Sequence, residues 1–135
     1  MNFTKVKQSL KAHEGLRNLP YEDTEGNLTI GVGHSLETPL SARAIETILE
    51  DDIHLHMQEL DRVLPQWRTH SDNVQDTLLE LAFNLGAPRL LTFKKMLKAL
   101  DNRDYLTASA EMLDSKWAGQ VGKRAETLAE AMANG

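Results

Sequence analysis

The chain has 135 residues, 41% of them hydrophobic and 26% charged, as is typical of one domain that buries a substantial core. Its formal net charge is −5 and its basic residues form only short clusters, which argues against a nucleic-acid-binding protein. Cysteine is absent, so disulfides and thiolate metal sites are excluded. No apolar run approaches the ~20 residues that cross a bilayer, so we expect no membrane insertion. The amphipathic N-terminus also lacks the apolar stretch of a signal peptide, so we expect no export by the general secretory route.

The first forty residues predict one helix followed by a small hairpin. Apolar residues recur at helical spacing over residues 3–13, and Gly15 is placed to end this helix. We expect its buried stripe to consist of Phe3, Val6 and Leu10. Residues 18–34 then combine strand-forming side chains with helix-breaking glycines and a proline. The Glu-Gly-Asn sequence at 25–27 suits a hairpin turn, because Gly and Asn tolerate positive φ.

A long helix is predicted after Pro39. Ser41 is suited to cap its start, and Pro65 stops a pattern that runs over about 41–63. Its inward-facing residues are expected to be Ile45, Ile48, Leu49, Ile53, Leu60 and Val63 or Leu64. Asp52 falls in the same helical phase as these apolar positions, and a carboxylate on a buried face needs a partner.

Four shorter helices are predicted in the second half of the chain. The first begins at the cap Ser71 and ends at Gly86, and the second begins at Pro88. The third covers residues 103–114, and the fourth runs from about 122 to 133. The residues expected to face inward are Val74, Leu78, Leu81, Ala82, Leu85, Phe93, Leu97, Leu100, Leu106, Ala110, Leu113, Leu128 and Met132.

Strands come first and helices afterwards, without alternation, which predicts an α+β fold. We expect a single domain with three parts. A small β-hairpin lobe covers about 14–40, a connecting helix covers about 41–64, and a helical lobe covers about 70–134 together with the N-terminal helix. The chain contains no internal repeat or low-complexity segment.

Three side chains in the first thirty residues are candidates for catalysis. Glu14 lies at the last turn of the first helix, where the negative end of the helix dipole favours a protonated carboxyl, as a general acid requires. Asp23 and Thr29 lie on either side of the turn, where a carboxylate and a hydroxyl can hold a water molecule. Each also has a structural interpretation. Glu14 can be an exposed residue at a helix end, Asp23 can cap the amides of the turn, and Thr29 can be an ordinary β-branched strand residue.

The spacing of these residues, followed by Ile-Gly-Val-Gly-His, resembles the active-site segment of the tailed-phage lysozymes, the endolysin family of glycoside hydrolases. The matching segment is EGLRNLPYEDTEGNLTIGVGH at residues 14–34. LAFNLG at 81–86 and SKWAGQVGKRAETL at 115–128 also resemble that family, so the resemblance covers most of the chain. The connecting region is shorter than in the longest-studied type of that family, and we therefore expect a reduced N-terminal lobe.

The resemblance implies a lysozyme-like fold and a muramidase. Such an enzyme cleaves the β-1,4 bond between N-acetylmuramic acid and N-acetylglucosamine in bacterial peptidoglycan. Glu14 would be the general acid, and Asp23 and Thr29 would orient the attacking water. The resemblance also implies inversion, which predicts carboxyl groups roughly 6.5–9.5 Å apart. It implies no cofactor.

The resemblance also implies roles for four further residues. His34 matches a family histidine that pairs with an aspartate, so we predict an ion pair between His34 and Asp52 that links the hairpin to the long helix. A hydrogen-bonded histidine near the site is the alternative. Arg124 matches an arginine that approaches the catalytic glutamate across the cleft. Phe83 either stacks on a sugar ring as part of the substrate-binding surface or packs in the core.

Metal-binding patterns are weak in this sequence. The pair His13-Glu14 lacks the second histidine of H-E-x-x-H, because position 17 is arginine. His54 and His56 are two residues apart on a predicted helix and therefore point to different faces. We expect no metal site.

Two other functions remain open. One is a lysozyme-like domain without catalysis that binds the wall or forms part of a virion or secretion apparatus. The other is a related enzyme that acts on chitin-type polymers or works as a transglycosylase. Retention of all three candidate catalytic residues favours peptidoglycan hydrolysis over both.

The resemblance implies host-cell lysis by a monomeric enzyme with no nucleic-acid partner. Without a secretion signal it would stay in the host cytoplasm and reach the periplasm or wall through a holin-type membrane partner, or travel on a phage tail. The sequence pI is ≈ 5.5, whereas many lysozymes are basic. Attraction to an anionic wall would therefore depend on a local concentration of positive charge.

Overall fold

The computed structural model describes residues 1–135. It contains eight α-helices, one 3-10 helix and one three-stranded antiparallel sheet, which confirms the α+β class. The α-helices are α1 (Phe3–Glu14), α2 (Ala42–Val63), α3 (Asp72–Leu85), α4 (Ala87–Leu90), α5 (Lys94–Asp101), α6 (Tyr105–Leu113), α7 (Lys116–Val121) and α8 (Lys123–Ala133). The strands are β1 (Arg17–Glu22), β2 (Leu28–Gly31) and β3 (His34–Ser35), and the 3-10 helix covers Pro65–Thr69.

The chain divides into two compact units. The first unit, residues 1–45, contains α1 and the sheet, and the second, residues 46–135, contains most of α2 and all later helices. The division therefore groups α1 with the sheet, whereas the sequence analysis assigns α1 to the helical lobe.

The sheet of the first unit is centred on β2, with β1 and β3 on either side. Thr29 pairs with Tyr21 of β1 and with Ser35 of β3. The turn predicted at 25–27 is confirmed: it joins β1 to β2, and Gly26 adopts a φ of 81° that favours glycine. Thr29 is the only residue of the first unit in the buried class, at 4% exposure, so this unit has almost no core of its own.

Helix α1 begins and ends where the sequence predicts, but its predicted buried stripe is wrong. Asn2 caps the helix through its side chain, and Gly15 ends it with a φ of 79°. Phe3, Val6 and Leu10 are 67%, 42% and 48% exposed. Their spacing identifies one face of the helix, but a sequence period does not say whether other residues cover that face.

The hydrophobic core lies in the second unit. Its buried members are Leu60, Trp67, Val74, Leu78, Leu81, Ala82, Leu90, Met96, Ala99, Leu100, Ala108, Met112, Trp117, Ala125, Leu128, Ala129 and Met132. Helices α3 and α8 contribute four of these residues each, and α3 forms as predicted, with Ser71 as its cap and Gly86 at its end.

Helix α2 is capped as predicted, but most of its apolar face is not buried. The backbone N–H of Ala44 donates to Oγ of Ser41 at 3.1 Å. Leu60 is the only buried residue of the helix. The predicted inward residues Ile45, Ile48 and Leu49 are exposed, so only the C-terminal end of α2 contributes to the core. No helix of the structure, α2 included, combines the length and apolar character of a membrane span.

One predicted helix is divided in two, and one helix that the sequence does not predict forms before the last one. The helix expected from Pro88 is divided into α4 and α5, and the hydroxyl of Thr92 donates to the carbonyl of Arg89 at 2.6 Å in the turn after α4. The segment before the last predicted helix forms a separate helix, α7. Gly122, with a φ of 60°, separates α7 from α8.

Helix α6 forms where predicted, but it presents a different face to the core. The predicted inward residues Leu106, Ala110 and Leu113 are exposed, and the buried residues are Ala108, Ser109 and Met112. Small side chains at 108 and 109 allow a direct contact with α8, where Oγ of Ser109 donates to the carbonyl of Ala129 at 2.7 Å. Large apolar residues alone therefore indicate the wrong face.

Candidate active site

The turn between β1 and β2 connects Asp23 and Thr29 through a single residue, Asn27. Oδ1 of Asp23 accepts hydrogen bonds from the backbone N–H of Glu25 at 2.9 Å and of Asn27 at 2.8 Å. Oδ2 of Asp23 is 3.4 Å from Nδ2 of Asn27. The hydroxyl of Thr29 donates to the carbonyl of Asn27 at 2.9 Å. The turn therefore holds both predicted water-binding residues in one hydrogen-bonded arrangement.

These hydrogen bonds stabilise the ionised form of Asp23. The backbone N–H of Asn27 is the largest influence and lowers the pKa of Asp23 below its ordinary value of 3.8. Partial desolvation opposes this effect, and the N–H of Glu25 and the Asn27 amide lower the pKa further. Asp23 is therefore a carboxylate at neutral pH, which suits a base but not an acid.

Two oxygen atoms of this turn remain able to accept further hydrogen bonds. Oδ1 of Asp23 already has two backbone donors, whereas Oδ2 has only the long contact with the Asn27 amide. The hydroxyl proton of Thr29 is directed at the Asn27 carbonyl, so Oγ1 presents lone pairs to any further partner. Each oxygen can accept one hydrogen of a bound water molecule.

Glu14 is the last residue of α1, and its carboxyl group lies against the β2–β3 turn. Oε2 of Glu14 is 3.1 Å from the position that a Cβ atom on Gly33 would occupy. The structure thus brings the predicted acid next to the residue that precedes His34. Glu14 is exposed.

His34 lies in β3 and is half-buried, and its Nε2 is buried without a hydrogen-bond partner. Asp52 is a half-buried residue of α2 in the second unit. The two residues belong to different units, and the predicted ion pair between them stays a prediction. An unpaired buried nitrogen is nevertheless unusual, since buried polar atoms are normally hydrogen-bonded.

Phe83 and Arg124 line one pocket of the second unit. The pocket has a volume of about 290 Å³ and is also lined by Leu49, Ile53, Leu79 and Glu80. Nη2 of Arg124 is 3.9 Å from Oε1 of Glu80, so the arginine has a carboxylate neighbour within this unit. Phe83 is 41% exposed at the pocket, which contradicts the core-packing alternative. Its ring presents apolar surface that a sugar face can cover.

His56 is the other ring beside Phe83. The two ring centroids are 5.1 Å apart, and Nδ1 of His56 lies 3.1 Å from Oε2 of Glu59. The nearest polar partner of His56 is therefore a carboxylate one helical turn away. No group of three or more metal-ligating side chains is arranged to hold an ion.

The two weaker sequence resemblances meet in the second unit. Trp117, from the segment at 115–128, is 2% exposed and donates from Nε1 to Oδ1 of Asn84 at 2.8 Å. Asn84 belongs to the segment at 81–86, directly after Phe83. This hydrogen bond joins α7 to the end of α3, and so it supports the part of α3 that carries Phe83.

Sequence reasoning missed three residues of these sites. Asn27 appears in the sequence only as a turn former, but its carbonyl, amide N–H and side chain all contact a predicted catalytic residue. Gly33 appears only as one of several helix-breaking glycines, and Glu80 is not singled out by the sequence. The spacing of Glu80 three residues before Phe83 places both on one helix face, and this signal was available.

The fold and the turn geometry define a lysozyme-like α+β protein. The chain belongs to the phage lysozyme family, whose family model matches residues 11–133. The match includes Glu14, Asp23, Thr29 and the second-unit segments that carry Phe83 and Arg124.

Three relatives illustrate the extent of the similarity. The chain is 24% identical over 160 residues to the probable T4-type lysozyme 2 of Dictyostelium discoideum, with 96% of this chain and 94% of that protein aligned. It is 26% identical to the peptidoglycan hydrolase gp36 of Pseudomonas phage phiKMV, over 94% of this chain and 15% of that protein. It is also 26% identical to the pre-baseplate central spike protein Gp5 of Enterobacteria phage T4, over 91% of this chain and 26% of the spike protein.

Proposed function

We propose that the protein is a muramidase that hydrolyses the β-1,4 bond between N-acetylmuramic acid and N-acetylglucosamine in peptidoglycan. The observation that carries this proposal is the Asp23–Asn27–Thr29 arrangement, which leaves one carboxylate oxygen and one hydroxyl oxygen ready to accept from water. Membership of the phage lysozyme family and similarity to a phage protein named a peptidoglycan hydrolase support the choice of substrate.

Glu14 is the proposed general acid. Its carboxyl group lies at the C-terminal end of α1, beside the β2–β3 turn of the same unit. The acid donates its proton to the glycosidic oxygen as the bond from that oxygen to the anomeric carbon breaks. Glu14 then carries the negative charge until it recovers a proton from solvent.

Asp23 and Thr29 are the proposed water-binding pair. Oδ2 of Asp23 accepts the proton of the attacking water, while Oγ1 of Thr29 accepts a hydrogen bond from its other hydrogen. The water oxygen then bonds to the anomeric carbon of the muramic acid residue. Attack on the face opposite the leaving group inverts the configuration, and it requires carboxyl groups roughly 6.5–9.5 Å apart.

The pocket at Phe83 is the proposed surface for a neighbouring sugar. An exposed aromatic ring beside a charged arginine and glutamate can cover the apolar face of a pyranose and bind its hydroxyl groups. His34 and Asp52 are proposed to support the sheet through their ion pair. These residues position the substrate or the sheet, and none takes part in proton transfer.

The biological setting follows from the substrate. Hydrolysis of the wall would lyse a bacterial host, with release from the cytoplasm through a holin-type membrane partner. The similarity to a phage spike protein supports a second route, in which the domain travels on a virion. In that setting a non-catalytic wall-binding role is the competing proposal, and loss of activity on substitution of Glu14 distinguishes the two.

The test is digestion of purified peptidoglycan by the wild type, by Glu14→Gln and by Glu22→Gln, with identification of the new chain ends by mass spectrometry. Glu22 is an exposed carboxylate at the end of β1 in the same unit, and its substitution controls for the loss of one charge. We expect reducing muramic acid ends from the wild type and Glu22→Gln, and none from Glu14→Gln. Equal digestion by all three proteins would refute Glu14 as the acid. No digestion by any of them would refute the enzyme and favour the wall-binding role.

A further inference from the structure

Gly33 is the only glycine of the first unit at which an added Cβ atom would lie within 4 Å of another residue. A Cβ atom built on Gly33 would lie 3.1 Å from Oε2 of Glu14, 3.3 Å from its Cδ and 3.4 Å from its Cγ. These distances are shorter than an ordinary van der Waals contact. The carboxyl group of Glu14 therefore occupies space that any other amino acid at position 33 would fill.

Backbone conformation alone does not account for this arrangement. Gly33 has a φ of 65°, which favours glycine at the second central position of the β2–β3 turn. Gly31 has nearly the same φ, 67°, but a Cβ atom there would meet nothing within 4 Å. The two glycines thus share a positive φ of similar size, and only at Gly33 would a side chain also meet a close neighbour.

The contact also restricts the acid. No hydrogen bond or ion pair of the Glu14 carboxyl is found within the first unit, and the carboxyl lies beside the side-chain position of Gly33. Because the atoms that a methyl group at position 33 would meet are the end of the exposed Glu14 side chain, the substitution would displace this carboxyl by a few tenths of an ångström rather than disrupt the turn. A misplacement of about 1 Å can lower a rate about a hundredfold, so a displacement of a few tenths of an ångström is expected to lower it by less.

We propose that Gly33 is a positioning residue for the proposed general acid. Its lack of a side chain leaves the space in which the Glu14 carboxyl rests against the β2–β3 turn, and this contact sets where the proton is delivered. The catalytic part of this inference rests on the proposed function. The structural part, the contact itself, does not.

The structural part is tested by carboxyl-carbon NMR of Glu14 in Gly33→Ala and in the matched control Gly31→Ala. Both variants place a methyl group at a glycine with a φ near 65°, so both proteins carry the penalty of a side chain at positive φ. We expect the Glu14 resonance to shift in Gly33→Ala and to stay at its wild-type position in Gly31→Ala. Equal shifts, or none, would overturn the inference whatever the enzyme's activity.

The catalytic part is tested by the turnover of the same two variants on peptidoglycan fragments. We expect kcat of Gly33→Ala to fall about tenfold below that of Gly31→Ala, with KM changed little and a displaced pH–rate profile. Equal kcat values would overturn the positioning role. If Glu14→Gln is as active as the wild type, the proposed function fails instead, while the NMR result still decides the contact.

A second pair of variants covers the case in which Gly33→Ala does not fold. Asparagine tolerates positive φ better than alanine and still carries a Cβ atom. Gly33→Asn and Gly31→Asn therefore repeat the comparison with less backbone strain. We again expect the Glu14 resonance to shift and kcat to fall only for the variant at position 33. Equal results at positions 33 and 31 would overturn the inference.

Discussion

The hydroxyl of Thr29 donates to the carbonyl of Asn27 at 2.9 Å, in the only buried position of the first unit. This bond fixes the direction of the Thr29 proton and leaves the oxygen to act as an acceptor. The same Asn27 donates its backbone N–H to Asp23. The order of the site thus depends on a turn residue that takes no part in the proposed chemistry.

Substitution of Thr29 tests whether its hydroxyl acts on water. We expect Thr29→Val to lower kcat about a hundredfold, because it removes one acceptor for the attacking water. It should also lower the free energy of unfolding by about 0.5–1 kcal/mol, since the Asn27 carbonyl loses one of its two donors and keeps the backbone N–H of Asp23. Thr29→Ser keeps the hydroxyl and should retain most of the activity. If the valine variant is as active as the serine variant, Thr29 has no role beyond the fold.

Substitution of Asn27 tests the cause of the lowered Asp23 pKa. Asn27→Ala keeps the backbone N–H that has the largest effect and removes only the side-chain amide. We therefore expect a small rise in the pKa of Asp23, which stays below 3.8. Because the pKa of Asp23 is lower in the folded than in the unfolded protein, its carboxylate stabilises the fold at pH values above the unfolded-state pKa. This stabilisation is lost as the pH falls through the folded-state pKa. Carboxyl NMR titration of both proteins measures the shift, and a pKa unchanged by the substitution would exclude the amide contact.

We expect His70 to make the stability of the second unit sensitive to acid. Burial is the main cause that lowers the pKa of His70 below its ordinary value of 6.5, and Arg103 lowers it further while Asp101 opposes. Nδ1 of His70 lies 2.9 Å from Nη1 of Arg103 and 2.8 Å from the Tyr105 hydroxyl, so the neutral ring accepts from them. Because the folded pKa is lowered, the stabilisation is complete above about pH 6.5 and is lost as the pH falls below it.

Urea denaturation between about pH 8 and pH 5 measures this effect. We expect the wild type to lose stability over that range more steeply than His70→Gln, which cannot be protonated there. His13→Gln provides the control, because His13 is an exposed histidine near the end of α1. Identical pH dependence in the wild type and His70→Gln would show that His70 does not contribute.

Two leucines test which helix faces form the core. Leu78 is 1% exposed in α3, and Leu106 is 73% exposed in α6 although its sequence pattern predicts burial. We expect Leu78→Ala to lower the free energy of unfolding by about 2–5 kcal/mol. Leu106→Ala should change it by less than about 0.5 kcal/mol. Comparable losses of stability in both variants, measured by urea denaturation, would show that Leu106 is also part of the core, as the sequence period predicts.

The features that the sequence predicts correctly depend on local chemistry. Ser41 and Ser71 begin helices because a hydroxyl can accept from backbone amides two or three residues later, and Gly15 and Gly86 end helices because glycine adopts positive φ. The turn at 25–27 follows from the same preference of glycine. These signals need no information about distant parts of the chain.

The features that the sequence misses depend on packing between segments. The apolar stripe of α1 is identified correctly as a face, yet nothing local says that Phe3 remains exposed. The core face of α6 is determined by the small residue Ser109 and its bond to α8, not by its leucines. Similarly, Gly33 can be recognised as more than a turn glycine only when the position of Glu14 is known.

The most direct test of the central claim is digestion of peptidoglycan by the wild type in water enriched in heavy oxygen. The Asp23–Thr29 arrangement predicts that one heavy oxygen appears at the anomeric carbon of each new muramic acid end, and that the first product formed is the inverted α-anomer. Anhydro-muramic ends without heavy oxygen, or heavy oxygen at new N-acetylglucosamine ends, would contradict the account.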